Sequence, residues 1–359
     1  MTIDVNGPAP KGAGLFGLDT PVADAKVVVL PVPFEATVSF AAGTARGPAA
    51  ILAASHQVDL LDADVGSPWT SGIALDPGFP WLPELNLAAR QAACRCIDAI
   101  TSGDVPRDVD RQLVEEAGLR VNRAVTERCA EHVRDGRIAV VVGGDHSVSY
   151  GAIAANAAAM GDRRLGILHI DAHADLRDAY EGFTWSHASV MRNVVERMPN
   201  VRLVQVGIRD VCEAEVELIK AQPGRITTYF DAHLRSARLA GHWATVCAAI
   251  INELPENVYL SLDIDGLEPS SCPSTGTPVP GGLSFDELVS LVDLLVQAGR
   301  RIVGLDVVEV APGSAIGDDE LGSSWDANVG ARLLYKLIGF ALLSRGAPRP
   351  DLPKAPGIR

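Results

Sequence analysis

The chain has 359 residues, 47% hydrophobic and 21% charged, an ordinary globular composition with material for a large core. Its formal net charge of −14 argues against a nucleic-acid partner and against an anionic membrane surface. No run approaches the length of a membrane-spanning helix, and the opening MTIDVNGPAPKGAG lacks the basic and apolar stretches of a signal peptide, so the expected location is cytoplasmic.

Residues 1–20 read as an extended N-terminal arm, 21–347 as one α/β domain without a linker or internal repeat, and the proline-rich 348–359 as a tail. Apolar, β-branched runs predict strands at 25–31, 137–142, 165–170, 201–206, 226–229, 257–262 and 301–307. Helical periodicity predicts helices at 47–57, 84–101, 108–134, 147–159, 212–221, 237–253, 284–298 and 325–344. This alternation is the pattern of a mostly parallel sheet covered on both faces. The six cysteines, at 94, 96, 129, 212, 247 and 272, lack paired spacing and predict no disulfide framework.

Three of the strands break into metal-type ligands just where they should end. The segments are VVVGGDHS at 140–147, LHIDAHADLR at 168–177 and YLSLDIDGLEP at 259–269. Side chains at i, i+2 and i+4 of an extended segment share a side, so Asp171, His173 and Asp175 should converge, as should Asp263 with Asp265. With His146 these make six candidate ligands. A lone aspartate after a strand is usually a cap or turn residue, but six such groups in three like contexts point to two cations about 3.5–4 Å apart. Asp145 and His169 read as supporting or packing groups. Glu309, after the run IVGLDVV, falls at the same carboxyl edge, where an open parallel sheet binds its ligands. Four carboxylates, two imidazoles and no thiolate form a hard donor set that points to Mn²⁺, with Ni²⁺, Co²⁺ and Fe²⁺ as alternatives.

Together GGDHS, DAHAD, SLDIDGLEPS and VVEVAP, in this order and over roughly residues 25–345, resemble the ureohydrolase (arginase/agmatinase) family. The resemblance implies a three-layer α/β/α fold with a central eight-stranded parallel sheet, a binuclear metal centre and a trimeric or hexameric assembly. It implies that His146, Asp171, Asp175 and Asp263 bind one ion and that Asp171, His173, Asp263 and Asp265 bind the other. It also implies that Glu309 holds the substrate guanidinium and that His187, in WSHAS, is a catalytic histidine that relays a proton to the departing amine; Asp175 counts among the catalytic residues as well.

The segment RDAYEGFTWSHAS, together with GTARGP at 43–48, HQVDLLDADV at 56–65 and CPSTGTPVPGGLS at 272–284, resembles a branch of the family that contains nickel-dependent guanidine hydrolases and metformin hydrolases. That likeness brings Ni²⁺ level with Mn²⁺. It implies a small cationic guanidino substrate, with Tyr180, Phe183 and Trp185 lining the pocket, favouring a small cation and excluding long tails. Two alternatives stand beside it. One is an agmatinase or guanidino-acid hydrolase. The other is a non-catalytic subunit supporting an active paralogue in a hetero-oligomer, a role expected to go with lost ligands, whereas this chain keeps all six.

Overall fold

A computed structural model describes residues 5–10 and 12–353. Residues 1–4 and 11 of the expected arm and 354–359 of the expected tail lie outside the described residues. Eight strands form one sheet: β1 (Val27–Val32), β2 (Ile73–Leu75), β3 (Ile138–Gly143), β4 (Leu165–Ile170), β5 (Val201–Ile208), β6 (Ile226–Phe230), β7 (Asn257–Asp263) and β8 (Arg301–Val308). Their order is β2-β1-β3-β8-β7-β4-β5-β6, and every neighbouring pair is parallel. Runs such as VVVLPV and IAVVVG suit this arrangement, because a strand buried on both faces has no polar side to present.

Successive strand residues feed two different cores. Val27, Val29, Val140, Val142, Leu168 and Ile170 face one side, where they meet α1 (Gly47–Ser55), α8 (Trp243–Asn252), α9 (Phe285–Gln297) and α10 (Trp325–Leu343). Leu30, Val32, Ala139, Val141, Leu165 and Ile167 face the other, where they meet α3 (Asp108–Arg134), α4 (Ser149–Met160) and α5 (Val190–Arg197). The result is the three-layer α/β/α arrangement, its central sheet parallel throughout. The remaining helices are α2 (Leu82–Thr101), α6 (Glu213–Ala221) and α7 (Asp231–Leu239). Among the described residues no helix is long and apolar enough to cross a membrane.

Three elements depart from expectation. The helix expected at 237–253 is broken: α7 ends at Leu239, Gly241 takes φ 71°, and α8 begins at Trp243. A glycine adopts this left-handed conformation without the steric cost borne by other residues, so it ends one helix and lets the next start at a new angle. The edge strand β2 and the helix α5 had not been anticipated. β2 has only three residues and α5 only eight, too few for periodicity to register.

Strand order is what builds the site. The four contiguous central strands, β3-β8-β7-β4, are those whose carboxyl ends carry His146, Glu309, Asp263 and Asp171 respectively. His146 and Glu309, 163 residues apart in the chain, thereby follow neighbouring strands about 4.8 Å apart. The GG of GGDHS lets the first of them fold over the sheet edge, since a Cβ on Gly144 would stand 2.0 Å from the Phe34 carbonyl oxygen.

Candidate metal centre

The chain leaves extended geometry at Ile170, so the same-side argument for Asp171, His173 and Asp175 does not describe what happens. They converge through a turn in which Asp175 holds φ 55°, a left-handed conformation uncommon for a non-glycine residue. Glu309 holds φ 61°. Hydrogen bonds over-determine both positions: Arg192 N donates to the Asp175 carbonyl at 3.0 Å, and Glu309 N donates to the Gly144 carbonyl at 2.8 Å. The Thr275 hydroxyl donates to the Glu309 carbonyl at 2.8 Å. Strained backbone maintained by its surroundings is a recurrent mark of functional sites.

Backbone amides grip one oxygen of three carboxylates. His173 N donates to Asp171 Oδ1 at 2.6 Å, Asp265 N to Asp263 Oδ1 at 2.9 Å, and Ala172 N to Asp265 Oδ1 at 3.0 Å. The second oxygens turn toward the imidazoles. His146 Nδ1 lies 3.0 Å from Asp171 Oδ2, 3.1 Å from Asp175 Oδ2 and 3.4 Å from Asp263 Oδ2. His173 Nδ1 lies 3.1 Å from Asp265 Oδ2. His146 Nδ1 and Asp265 Oδ2 are nonetheless buried without a hydrogen-bond partner.

The other nitrogen of His146 explains why. Its Nε2 is 3.0 Å from Ser261 Oγ, which in turn donates to Asp306 Oδ1 at 3.0 Å. That direction makes Nε2–H the donor and leaves a lone pair on Nδ1, aimed at three carboxylates. Lone pair against lone pair at such distances is repulsive unless a cation lies between them. The residues therefore fit divalent metal ions. Two groups of closely spaced donor atoms share Asp171: His146, His169, Asp171 and Asp175 in one, and Asp171, His173 and Asp265 in the other; the expected ligand Asp263 is in neither, although its Oδ2 lies 3.4 Å from His146 Nδ1.

The titration behaviour of the protein groups agrees. Burial pushes Asp263 and Glu309 well above the carboxylate range, with neighbouring carboxylates adding to it. Asp175 is raised to about 6 by burial and by Asp171. So much mutually repelling charge, buried together, is stabilised by positive charge.

His169 stands close to the cluster in a supporting role. Gln205 Nε2 donates to His169 Nδ1 at 3.0 Å, which leaves the proton on Nε2, and this donates to Asp171 Oδ2 at 2.8 Å. Asp145 accepts from Ser147 N at 3.1 Å and so caps the short turn that carries His146. Ser261, Gln205 and Asp306 were not singled out from the sequence. Ser261 and Asp306 sit mid-strand among apolar residues, and a mid-strand polar residue in an otherwise buried run is the signal that marks them.

A cavity of about 260 Å³ opens onto His173 and Asp175. Its walls include Tyr180, His187, Phe40, the 277–279 segment, Asp210 and Glu215. Glu215 is committed to structure, accepting from Leu176 N and Cys212 N at 2.9 Å each. Glu309 is not among the residues that line it: its Oε1 accepts from His146 N at 2.9 Å, and a Cβ on Gly276 would come within 3.3 Å of its Oε2.

Of the three aromatics expected to line the pocket, Tyr180 does so and two do not. Phe183 is 1% exposed and packs in a small core with Ala92, Ala93, Cys96 and Val114. Trp185 packs edge-on against Tyr150 at 5.0 Å and beneath Arg197. Both point back into the helices because the turn at 180–183, closed by paired backbone hydrogen bonds between Tyr180 and Phe183, reverses the chain. Tyr180 itself carries Arg177, whose guanidinium carbon is 4.9 Å from the ring centroid, so a ring face expected to receive a substrate cation receives this arginine. Phe40, 79% exposed, also lines the cavity, and no local sequence pattern marks it.

The family model described as "Arginase family" matches residues 25–339. An N(1)-aminopropylagmatine ureohydrolase of Thermus thermophilus is 33% identical over 329 residues, covering 91% of this chain and 94% of that protein. Among solved structures, the agmatine ureohydrolase of Thermoplasma volcanium shares the fold with a TM-score of 0.68 at 23% identity, covering 90% of this chain and 92% of that one. The arginase of Bacillus subtilis does so with a TM-score of 0.62 at 22% identity, covering 88% and 99%. The chain belongs to the arginase family and is a hydrolase of the ureohydrolase class, acting on C–N bonds of guanidino compounds.

Proposed function

We propose that the substrate is a small guanidino compound, guanidine itself or an N-alkylated guanidine or biguanide such as metformin, and that the products are urea or a substituted urea plus ammonia or an amine. The observation that carries this reading is the size of the cavity above His173 and Asp175. At about 260 Å³ it falls below the roughly 300–1,000 Å³ of sites for drug-sized ligands. Tyr180, held by Arg177, narrows it, so the ring acts by excluding long tails.

In this reading His146, Asp171, Asp175 and Asp263 would hold one divalent ion, and Asp171, His173, Asp263 and Asp265 the other, Ni²⁺ or Mn²⁺. Such a pair supplies positive charge and a water acidified enough to be nucleophilic near neutral pH. The water oxygen bonds to the guanidinium carbon, one C–N bond breaks with its electron pair going to nitrogen, and that nitrogen leaves once protonated. Glu309 holds the guanidinium through Oε2, the oxygen not engaged by His146, and the absence of a side chain at Gly276 leaves room there. His187 moves the proton. Burial is the largest cause that lowers its pKa, so it meets the reaction as a neutral imidazole able to accept a proton and pass it on. Phe40, Pro278 and Val279 limit water at the mouth.

A second reading has its own observation. Asp210, its side chain 66% exposed, stands on the cavity wall and would suit the distal ammonium of a longer substrate, the kind named for the Thermus relative. A panel of guanidine, metformin, agmatine, N(1)-aminopropylagmatine, arginine and 4-guanidinobutyrate, assayed for urea and amine release with Ni²⁺ and with Mn²⁺, separates the two. The small-substrate reading expects the highest kcat/KM for guanidine or metformin. Turnover confined to agmatine and its aminopropyl derivative would replace it with the second.

A further inference from the structure

Thr37 lies 150 residues from His187 in sequence and is 1% exposed, in the loop that leaves β1. Its hydroxyl has one proton to give and two lone pairs to receive with. The His187 backbone N–H reaches Thr37 Oγ1 at 3.2 Å, and the same oxygen lies 3.3 Å from His187 Nδ1. Its hydrogen has an acceptor in Asp145 Oδ2 at 3.5 Å, a carboxylate with 0% exposure. Asp145 is acceptor-only when ionised, so the Thr37 hydrogen is directed at the carboxylate and Oγ1 receives from Nδ1–H. Every hydrogen-bonding position of the hydroxyl is then filled.

We infer that Thr37 is a positioning residue that fixes the His187 tautomer, holding the proton on Nδ1 and leaving Nε2 as the nitrogen that exchanges protons with the cavity. The inference rests on the proposed role of His187 and adds to it a specific tether. A valine at 37 would fill nearly the same space, so the hydroxyl is present for its hydrogen bonds and not for its volume. Without it the imidazole is free to carry its proton on Nε2 instead, and that tautomer leaves no lone pair on Nε2 to take a proton. The loop bearing Thr37 is itself braced: Glu35 Oε2 accepts from Gly43 N at 2.7 Å and Ala45 N at 3.1 Å, so removing one hydroxyl should leave the loop in place.

The test uses the metal-loaded enzyme and the fastest substrate of the panel, with Thr37→Val, Thr37→Ser, His187→Asn and the double variant Thr37→Val/His187→Asn. Thr37→Val should lower kcat at least about tenfold with KM little changed, and should reshape the pH profile of kcat. Thr37→Ser should restore the rate, metal content should match wild type throughout, and Thr37→Val should cost nothing further in the His187→Asn background. A wild-type kcat for Thr37→Val, or an equal loss in both backgrounds, overturns the inference while leaving His187 in its role. A wild-type kcat for His187→Asn overturns both.

Discussion

Ser261 Oγ stands 3.0 Å from His146 Nε2 and hands its own hydrogen to Asp306, so a strand β7 hydroxyl decides which nitrogen of a histidine in the turn after β3 faces the carboxylate cluster. Supports of this kind fix a ligand's tautomer and ring orientation, and losing them costs roughly 10–100-fold in metal affinity. Ser261→Ala should therefore weaken metal binding by that factor with the fold intact. Competition with a chelator of known affinity measures it, and unchanged affinity would assign the hydroxyl to packing alone.

Glu309→Gln should lower kcat/KM about hundredfold, in the range of about 2–5 kcal/mol found when one partner of a buried charge pair is truncated. Glutamine keeps the size and an oxygen for the His146 N–H, so the loss reports the missing charge. Steady-state kinetics on the best substrate decides it. An unchanged kcat/KM would make Glu309 a structural brace for the turn of His146.

The aromatics divide by what they touch. Phe183→Ala empties a core position and should cost about 3 kcal/mol of stability, with the ranking of substrates unmoved. Tyr180→Ala should leave stability nearly alone and raise kcat/KM for agmatine relative to guanidine, because it widens the cavity. Denaturation curves and the substrate panel, run on both variants, read the two effects separately.

Far from the centre, Asp76 sits 2% exposed under Arg128 Nη1, at 2.8 and 2.9 Å, and 3.0 Å from His132 Nε2. Burial pushes its pKa up, but the hydrogen bonds from His132, Arg128 and the Gly78 amide outweigh it and hold the carboxyl below its ordinary value. A depressed folded pKa means stability that is present above the unfolded value, near 4, and lost as pH falls through the folded one. Asp76→Asn should cost about 2 kcal/mol at pH 7, a gap that closes in strong acid. Urea denaturation at a series of pH values tests the sign.

The strand ends were legible because parallel strands write themselves as β-branched runs, and a carboxylate or imidazole that breaks such a run stands out. Seven of the eight strands and the ligand-bearing segments came from that signal. What local patterns cannot carry is partnership across the sheet. Nothing near His187 points to Thr37, and nothing near His146 points to Ser261 and Asp306, since strand order alone makes them neighbours. The same holds for orientation: Phe183 and Trp185 read as pocket residues from their place beside His187, and only the reversal at 180–183 sends Phe183 into the core and half-buried Trp185 against Tyr150. The gathering of Asp171, His173 and Asp175 was anticipated on strand periodicity, whereas a left-handed Asp175 in a turn brings it about.

The claim beneath all of this is that two divalent ions sit among six ligands and that hydrolysis depends on both. Chelator-stripped protein, titrated with Mn²⁺ or Ni²⁺ while bound metal and urea release are followed together, addresses it directly. Two ions should bind per chain, turnover should appear only with them, and Asp263→Asn should bind fewer than two and release no urea. Full turnover in the stripped protein, or in Asp263→Asn, would contradict the account.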